Sequence, residues 1–236
     1  MKTENRASTF AEISAQKEKK GFRDIYVVGT NLSTHFSEVF SVEKTPDVLL
    51  AEAVRISMSI PLFFTSRRSA RGDVYVDGGV LNNYPVKLFD RERYIDEEKN
   101  KRRTAYYEEH NQRLASEGIH ISKYVFNRQT LGFRLDSGQE IGMFRDQKEP
   151  VHSEIKNFRG FAKNLIFTLL DQQNQQHIHS DDWQRTIYID ASAAQTTEFN
   201  LTDEKKTALI EAGRKGVKEY FEWFDNNPTV NKPESV

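Results

Sequence analysis

The apolar residues of this chain fall into short runs and stripes that alternate between two periods. Ile25 to Val28 is continuously apolar and rich in β-branched and aromatic residues, a pattern that suits a strand buried on both faces, as in a parallel sheet. Turn formers fill Gly29 to Ser37, and Glu38 to Val42 reads as a returning strand. Thr45-Pro46-Asp47 has the chemistry of a helix start: Thr as N-cap, Pro at the first helical position, Asp favoured by the helix dipole. Leu49, Leu50, Ala53 and Val54 give that helix an apolar face, and Pro61 stops it near Ser57 to Ser59. Val74-Tyr75-Val76 predicts a short strand that ends at Asp77-Gly78-Gly79.

Further on, residues 90–118 are dense in Arg, Lys and Glu and read as a solvated helix in a surface insertion. Gln129 to Leu135 predicts a strand. Ser153 is placed to cap a long helix with Ile155, Phe158, Ala162, Leu165, Ile166 and Leu169 on one side. Thr186 to Ile189 predicts a last strand, and Thr202 caps a final helix whose face includes Leu209, Gly213, Val217, Tyr220 and Phe224. Strands alternating with helices argue for an α/β layered domain. The expected organisation is a helical lead over 1–21, a main domain over 22–225 containing the charged insertion, and a polar tail over 226–236.

Composition narrows the function classes. The net charge of -1 supplies no basic field for nucleic acid. With no cysteine, neither a disulfide framework nor a thiolate zinc site can form. No run approaches the roughly 18 apolar residues of a membrane helix, and Met1 to Lys20 lacks the apolar core of a signal peptide. Localisation stays open between cytoplasm and secretion.

Alone, Asp77-Gly78-Gly79 is a weak signal, because Asp-Gly is also a common hairpin turn. Its surroundings are more specific. Ala53-Val54-Arg55-Ile56-Ser57-Met58-Ser59-Ile60-Pro61 precedes Tyr75-Val76-Asp77-Gly78-Gly79-Val80-Leu81-Asn82-Asn83-Tyr84-Pro85. This pair of segments resembles the patatin-like phospholipases, in which an Ala-x-x-x-Ser-x-Ser-x-Pro stretch comes before an Asp-Gly-Gly or Asp-Gly-Ala motif. Val28-Gly29-Thr30-Asn31-Leu32 is similar to the family's strand and turn, and the likeness extends over residues 22 to 136.

The resemblance implies a three-layer α/β/α fold, here incomplete on its N-terminal side, and a serine–aspartate dyad that hydrolyses acyl esters. It makes Asp77 the dyad base, with Gly78 and Gly79 supporting it, and calls for no cofactor and no metal. The implied partners are a lipid or phospholipid substrate, a membrane surface, and a separate N-terminal half. A serine hydroxyl becomes a competent nucleophile only when a neighbouring base removes its proton, and a carboxylate within hydrogen-bond reach serves without a histidine. The sequence departs from the family in two respects: it contains no G-x-S-x-G and no G-G-G-x-[RK]-G turn. The expectation is therefore a lipid acyl hydrolase fragment, inactive by itself, with a non-catalytic lipid-binding or complementing homologue as the alternative.

Other features carry competing readings. Ser57 and Ser59, at a helix end before a proline, are either substitute nucleophiles or local backbone partners. His177-Ile178-His179-Ser180-Asp181-Asp182 looks like part of a zinc motif, but lacks the downstream histidines that a complete ligand set needs; the other reading is a polar loop. Arg67, Arg68 and Arg71 are placed either to meet phospholipid headgroups or to form a solvated loop. Trp183 and Trp223 read as packing residues.

Overall fold

The computed structural model of the chain describes residues 7–61, 63–137, 181–194 and 198–226, together with residues 155, 157, 158, 160, 161, 164 and 168. The chain divides into two compact units, residues 1–85 with 155–175 and residues 86–154 with 176–236.

In the first unit, helices α1 (Phe10–Ala15) and α2 (Lys17–Lys20) lead into strands β1 (Val27–Asn31) and β2 (Phe36–Phe40). Helix α3 (Leu50–Ser57), β3 (Arg67–Arg68), β4 (Val74–Asp77) and the one-turn helix α4 (Gly79–Asn82) follow. The sheet order is β2-β1-β4-β3, and every pairing is antiparallel. β1 is buried at all five positions. The expected burial on both faces is therefore present, but the parallel neighbours are not. A continuous apolar run encodes double burial and leaves strand direction open. The strand also runs on through Gly29, Thr30 and Asn31, which by residue type read as turn formers. Asn31 stays in the sheet because its side chain is fully engaged. Its Nδ2 donates to Glu38 Oε1 at 2.7 Å and to the Tyr75 hydroxyl at 3.2 Å, and its Oδ1 accepts from Ser33 N at 2.9 Å.

Helix α3 begins at Leu50, four residues later than the Thr-Pro-Asp signal indicates, and no side chain caps it. The reason is a competing use of the backbone. Phe10 N donates to Val48 O, Ala11 N to Pro46 O, and Leu50 N to Ser8 O, at 2.9–3.1 Å. The segment ahead of α3 thus pairs with the start of the chain. Thr45 closes a turn instead of capping, since its hydroxyl oxygen accepts from Ser41 N at 3.0 Å. The N-terminal lead is consequently part of the core: Phe10 packs with Val27, Phe40, Ala53, Ile56 and Tyr75. Thr9 caps α1 in a full capping box with Glu12.

In the second unit, short 3₁₀ turns lead to β5 (Lys101–Arg102), helix α5 (Ala105–Ser116), β6 (Phe126–Asn127), β7 (Gly132–Asp136), β8 (Thr186–Asp190) and helix α6 (Asp203–Asn226). β5 pairs antiparallel with β6, and β7 pairs parallel with β8. The solvated helix expected over 90–118 exists only as α5. Within that stretch Asp90, Asn100 and Tyr107 are buried. β7 also inverts the usual pattern: Arg134 and Asp136 are buried and paired at 2.8 Å, whereas Phe133 and Leu135 are exposed. Thr202 accepts from Lys205 N at 3.4 Å at the start of α6, as its N-cap reading requires. Trp183 and Trp223 pack together with ring centroids 5.2 Å apart. The helix expected from Ser153 to Leu169 lies largely outside the described residues.

Beside buried Val86, Ile95, Val125, Phe126 and Ile187, the core of this unit holds an ionic cluster. Arg185, 1% exposed at its side chain, grips Asp90, 0% exposed, through two 2.6 Å bonds, and donates to Asp182 Oδ1 at 2.6 Å. Asp90 also accepts from the Tyr107 hydroxyl and from Asn127 N. Lys87 reaches Asp182 at 3.4 Å. Two carboxylates thus meet two cations, and the guanidinium lies over the Phe126 ring at 4.0 Å. Burial opposes the Arg185 charge, but Asp90 and Asp182 outweigh it and hold the guanidinium firmly protonated. Burial and the adjacent Asp90 push the Tyr107 phenol well above its ordinary value.

Removing one member of such a cluster leaves uncompensated charge in the interior. Arg185→Met is therefore expected to cost about 3–5 kcal/mol of unfolding free energy, read by urea denaturation with tryptophan fluorescence. A loss below about 1 kcal/mol would mean the pair behaves as a surface ion pair.

Candidate functional site

The candidate site forms where β4 leaves the sheet. Asp77 is the last residue of β4 and stands in register with Gly29 of β1. Its backbone N donates to Ser59 O at 2.9 Å. The two motif segments are therefore joined in space: the Ser-x-Ser-x-Pro turn after α3 holds the strand end that carries Asp77. Between them lies Gly29. A Cβ there would fall 2.6 Å from Ile56 Cγ2 and 2.9 Å from Phe40 Cε2, so its absence allows α3 to lie against β1.

Asp77-Gly78-Gly79 is not a hairpin. Gly78 has φ -61° and ψ -28°, and α4 follows at once. A two-residue hairpin of the Asp-Gly kind needs positive φ at both central residues. Gly78 is needed for another reason: a Cβ would lie 2.4 Å from Val28 O and 2.7 Å from Val28 C. The strand-to-helix turn passes directly against the β1 backbone, and only a residue without a side chain fits.

The Asp77 side chain is half-buried. Its Oδ1 accepts from Gly79 N at 2.6 Å. Among the described residues no cation and no second donor reaches the carboxylate. Burial raises its pKa above the ordinary aspartate value, and the Gly79 N–H only partly offsets this. Desolvated and held by one donor among the described residues, the carboxylate takes up a proton more readily than a solvated aspartate does.

Ser59 lies beside this strand end, but its hydroxyl is buried and donates to Arg55 O at 2.6 Å. It satisfies the end of α3 as a backbone partner. Arg67 forms a two-pronged pair with Glu52 at 2.8 and 2.9 Å, while Arg68 donates to Gly72 O within its own hairpin. His177 and His179 lie outside the described residues. Asp182 is committed to Arg185 and Lys87, and no group of three metal-ligating side chains occurs among the described residues. Sequence reading missed the Asp90–Arg185 cluster. The partners are 95 residues apart, and no local pattern links them.

Two outcomes test the geometry. Gly78→Ala is expected to cost about 1–3 kcal/mol through overpacking against β1, measured by chemical denaturation; a neutral substitution would mean that the approach relaxes freely. For Asp77 the sign is set by its raised folded-state pKa. Below the ordinary aspartate pKa both states are protonated and ionisation carries no cost. As pH rises through and beyond that value, the unfolded state ionises first and the native protein loses relative stability. Asp77→Asn should therefore melt higher than wild type near neutrality, with the gap closing as the solution is acidified.

Residues 2–90 match the family model described as patatin-like phospholipase. The chain is 29% identical over 174 residues to the protein YqhO of Bacillus subtilis (strain 168), covering 72% of this chain and 46% of that protein. It is 31% identical over 88 residues to "Probable lipid hydrolase 463L" of Invertebrate iridescent virus 6, covering 37% of this chain and 29% of that protein. The chain thus spans less than half the length of these curated relatives. Among solved structures, VipD from Legionella pneumophila superposes with a TM-score of 0.52 at 16% identity, covering 94% of this chain and 36% of that one. That likeness shows the α/β fold. Over residues 2–90, which contain β1, α3, β4 and Asp77, the chain is similar to the patatin-like phospholipases.

Proposed function

We propose that this chain forms part of a lipid acyl hydrolase and supplies its general base, Asp77. The observation that carries the reading is the half-buried carboxylate at the end of β4, held by a single backbone donor and raised in pKa by burial. The sequence contains no G-x-S-x-G, so the nucleophile belongs to polypeptide outside these 236 residues. In the assembled site, Asp77 takes the proton from the serine hydroxyl as the oxygen attacks the acyl carbonyl. It returns that proton to the leaving alcohol, and an acyl-serine remains. A water deprotonated by the same carboxylate then attacks the acyl-serine, and Asp77 passes that proton to the departing serine oxygen as the fatty acid is released. A carboxylate whose pKa lies closer to the working pH is the better base for both transfers. The family match and the relative named as a lipid hydrolase support a lipid ester as the substrate.

The missing nucleophile motif equally favours a second reading, a non-catalytic homologue that binds lipid. The DNA upstream separates the two, because an adjacent segment encoding a Gly-rich turn and a G-x-S-x-G is required only by the first. By itself the chain is expected to turn over no short-chain acyl ester. Co-expressed with an N-terminal half carrying the serine elbow, it should yield esterase activity that falls by roughly 10²–10⁴ in Asp77→Asn. Activity that survives this substitution would remove Asp77 from the mechanism.

A further inference from the structure

We propose that the stretch from Ala53 to Gly72 is a docking surface for an anionic lipid bilayer. Acidic residues number 35 in the whole chain, yet this stretch contains none, while it holds four arginines: Arg55, Arg67, Arg68 and Arg71. Arg67 is neutralised by Glu52. Arg55, Arg68 and Arg71 have no carboxylate partner among the described residues and are exposed. A protein of net charge -1 thus concentrates unbalanced positive charge in one segment.

The same stretch exposes apolar side chains that a water-facing loop does not need. Met58 is 55% exposed, Phe63 48%, Phe64 41% and Val54 42%. Val54 and Met58 are four residues apart at the end of α3 and share a helical face. Phe63 and Phe64 follow in the loop, both donating their backbone N–H to Ile60 O. Arg68 and Arg71 sit on the β3–β4 hairpin. Aromatic side chains beside arginines match a bilayer interface, where rings sink to the headgroup boundary and guanidiniums meet phosphates. Nucleic acid would reward the arginines but not the exposed Met and Phe.

The position of the patch gives it a use. Ser59, in the same stretch, hydrogen-bonds the backbone of Asp77 at 2.9 Å. A leaflet bound by Phe63, Phe64, Arg68 and Arg71 would therefore lie against the segment that anchors the candidate base. The choice of a lipid surface rests partly on the hydrolase reading. The test reads binding without turnover, so the two ideas fail separately.

The experiment is co-sedimentation of the full chain with phosphatidylcholine vesicles, with and without phosphatidylglycerol. Binding to the anionic vesicles, weakened by salt, is expected. Arg68→Gln/Arg71→Gln should lower the partition by about thirty-fold, the attraction of two arginines to an anionic leaflet. Phe63→Ser/Phe64→Ser should weaken binding to both vesicle types. Arg214→Gln, on α6, should leave binding intact, and circular dichroism confirms that each variant folds. The proposal is overturned by absence of vesicle binding, by indifference to both double substitutions, or by equal loss in Arg214→Gln, which would indicate net charge alone. Self-association that the phenylalanine substitutions dissolve, without vesicle binding, would assign the patch to a second copy of the chain.

Discussion

The close approach of the β4 exit to the backbone of β1 governs the candidate site. At Gly78 the chain passes so near Val28 that no β-carbon fits, and the turn into α4 has to be made there. Every other feature of the site follows from that contact. It sets Asp77 opposite Gly29 and brings the Gly79 amide onto the carboxylate. It also lets the Ser59 carbonyl take the Asp77 N–H. Gly29 performs the same service on the opposite side, where its missing side chain gives Ile56 of α3 its place against the sheet. Two glycines therefore fix the relation between a helix, a central strand and an acid.

Much of this was legible in the sequence, for identifiable reasons. The edge of a strand followed by Asp-Gly-Gly can be read from residue type, and β4 ends where that pattern says. The end of α3 and the start of α6 follow from Pro61 and Thr202. The start of α3 could not be read. Its N-cap signal at Thr45 is locally valid, but the segment is claimed by hydrogen bonds from residues 8–11. A tertiary pairing overrode a local propensity. The direction of β1 failed for a related reason, since burial on both faces is what an apolar run records and neighbours decide orientation. Glycine misled in a third way. Asp-Gly suggests positive φ, whereas Gly78 is right-handed and is demanded by proximity.

The charged region of the second unit shows where composition misleads most. Residues 90–118 look like solvated surface because charged side chains are usually outside. Asp90 is inside because an arginine 95 residues away, a tyrosine and a backbone amide supply its full complement of donors. Burial of charge is a property of partner sets, and these cannot be seen in a window of sequence. Such a cluster specifies one arrangement of its segments more than it adds net stability, because desolvation offsets much of the attraction.

The two aspartates supply the last step. Asp90 is fully buried and receives two bonds from Arg185 along with two neutral donors. Asp77 is half-buried, lies at a strand end and receives one amide. The fold is thus capable of satisfying a buried carboxylate completely, and among the described residues it does not do so at Asp77. A solvated turn would have spared that residue its desolvation, since a hairpin tip exposes its side chain to water. Instead the glycine turn holds the acid against the sheet in a state that burial penalises. Natural sequences keep local conflicts of this kind where activity requires them. The proposed proton-transfer role of Asp77 therefore rests on this under-satisfied state more than on the tripeptide that contains it.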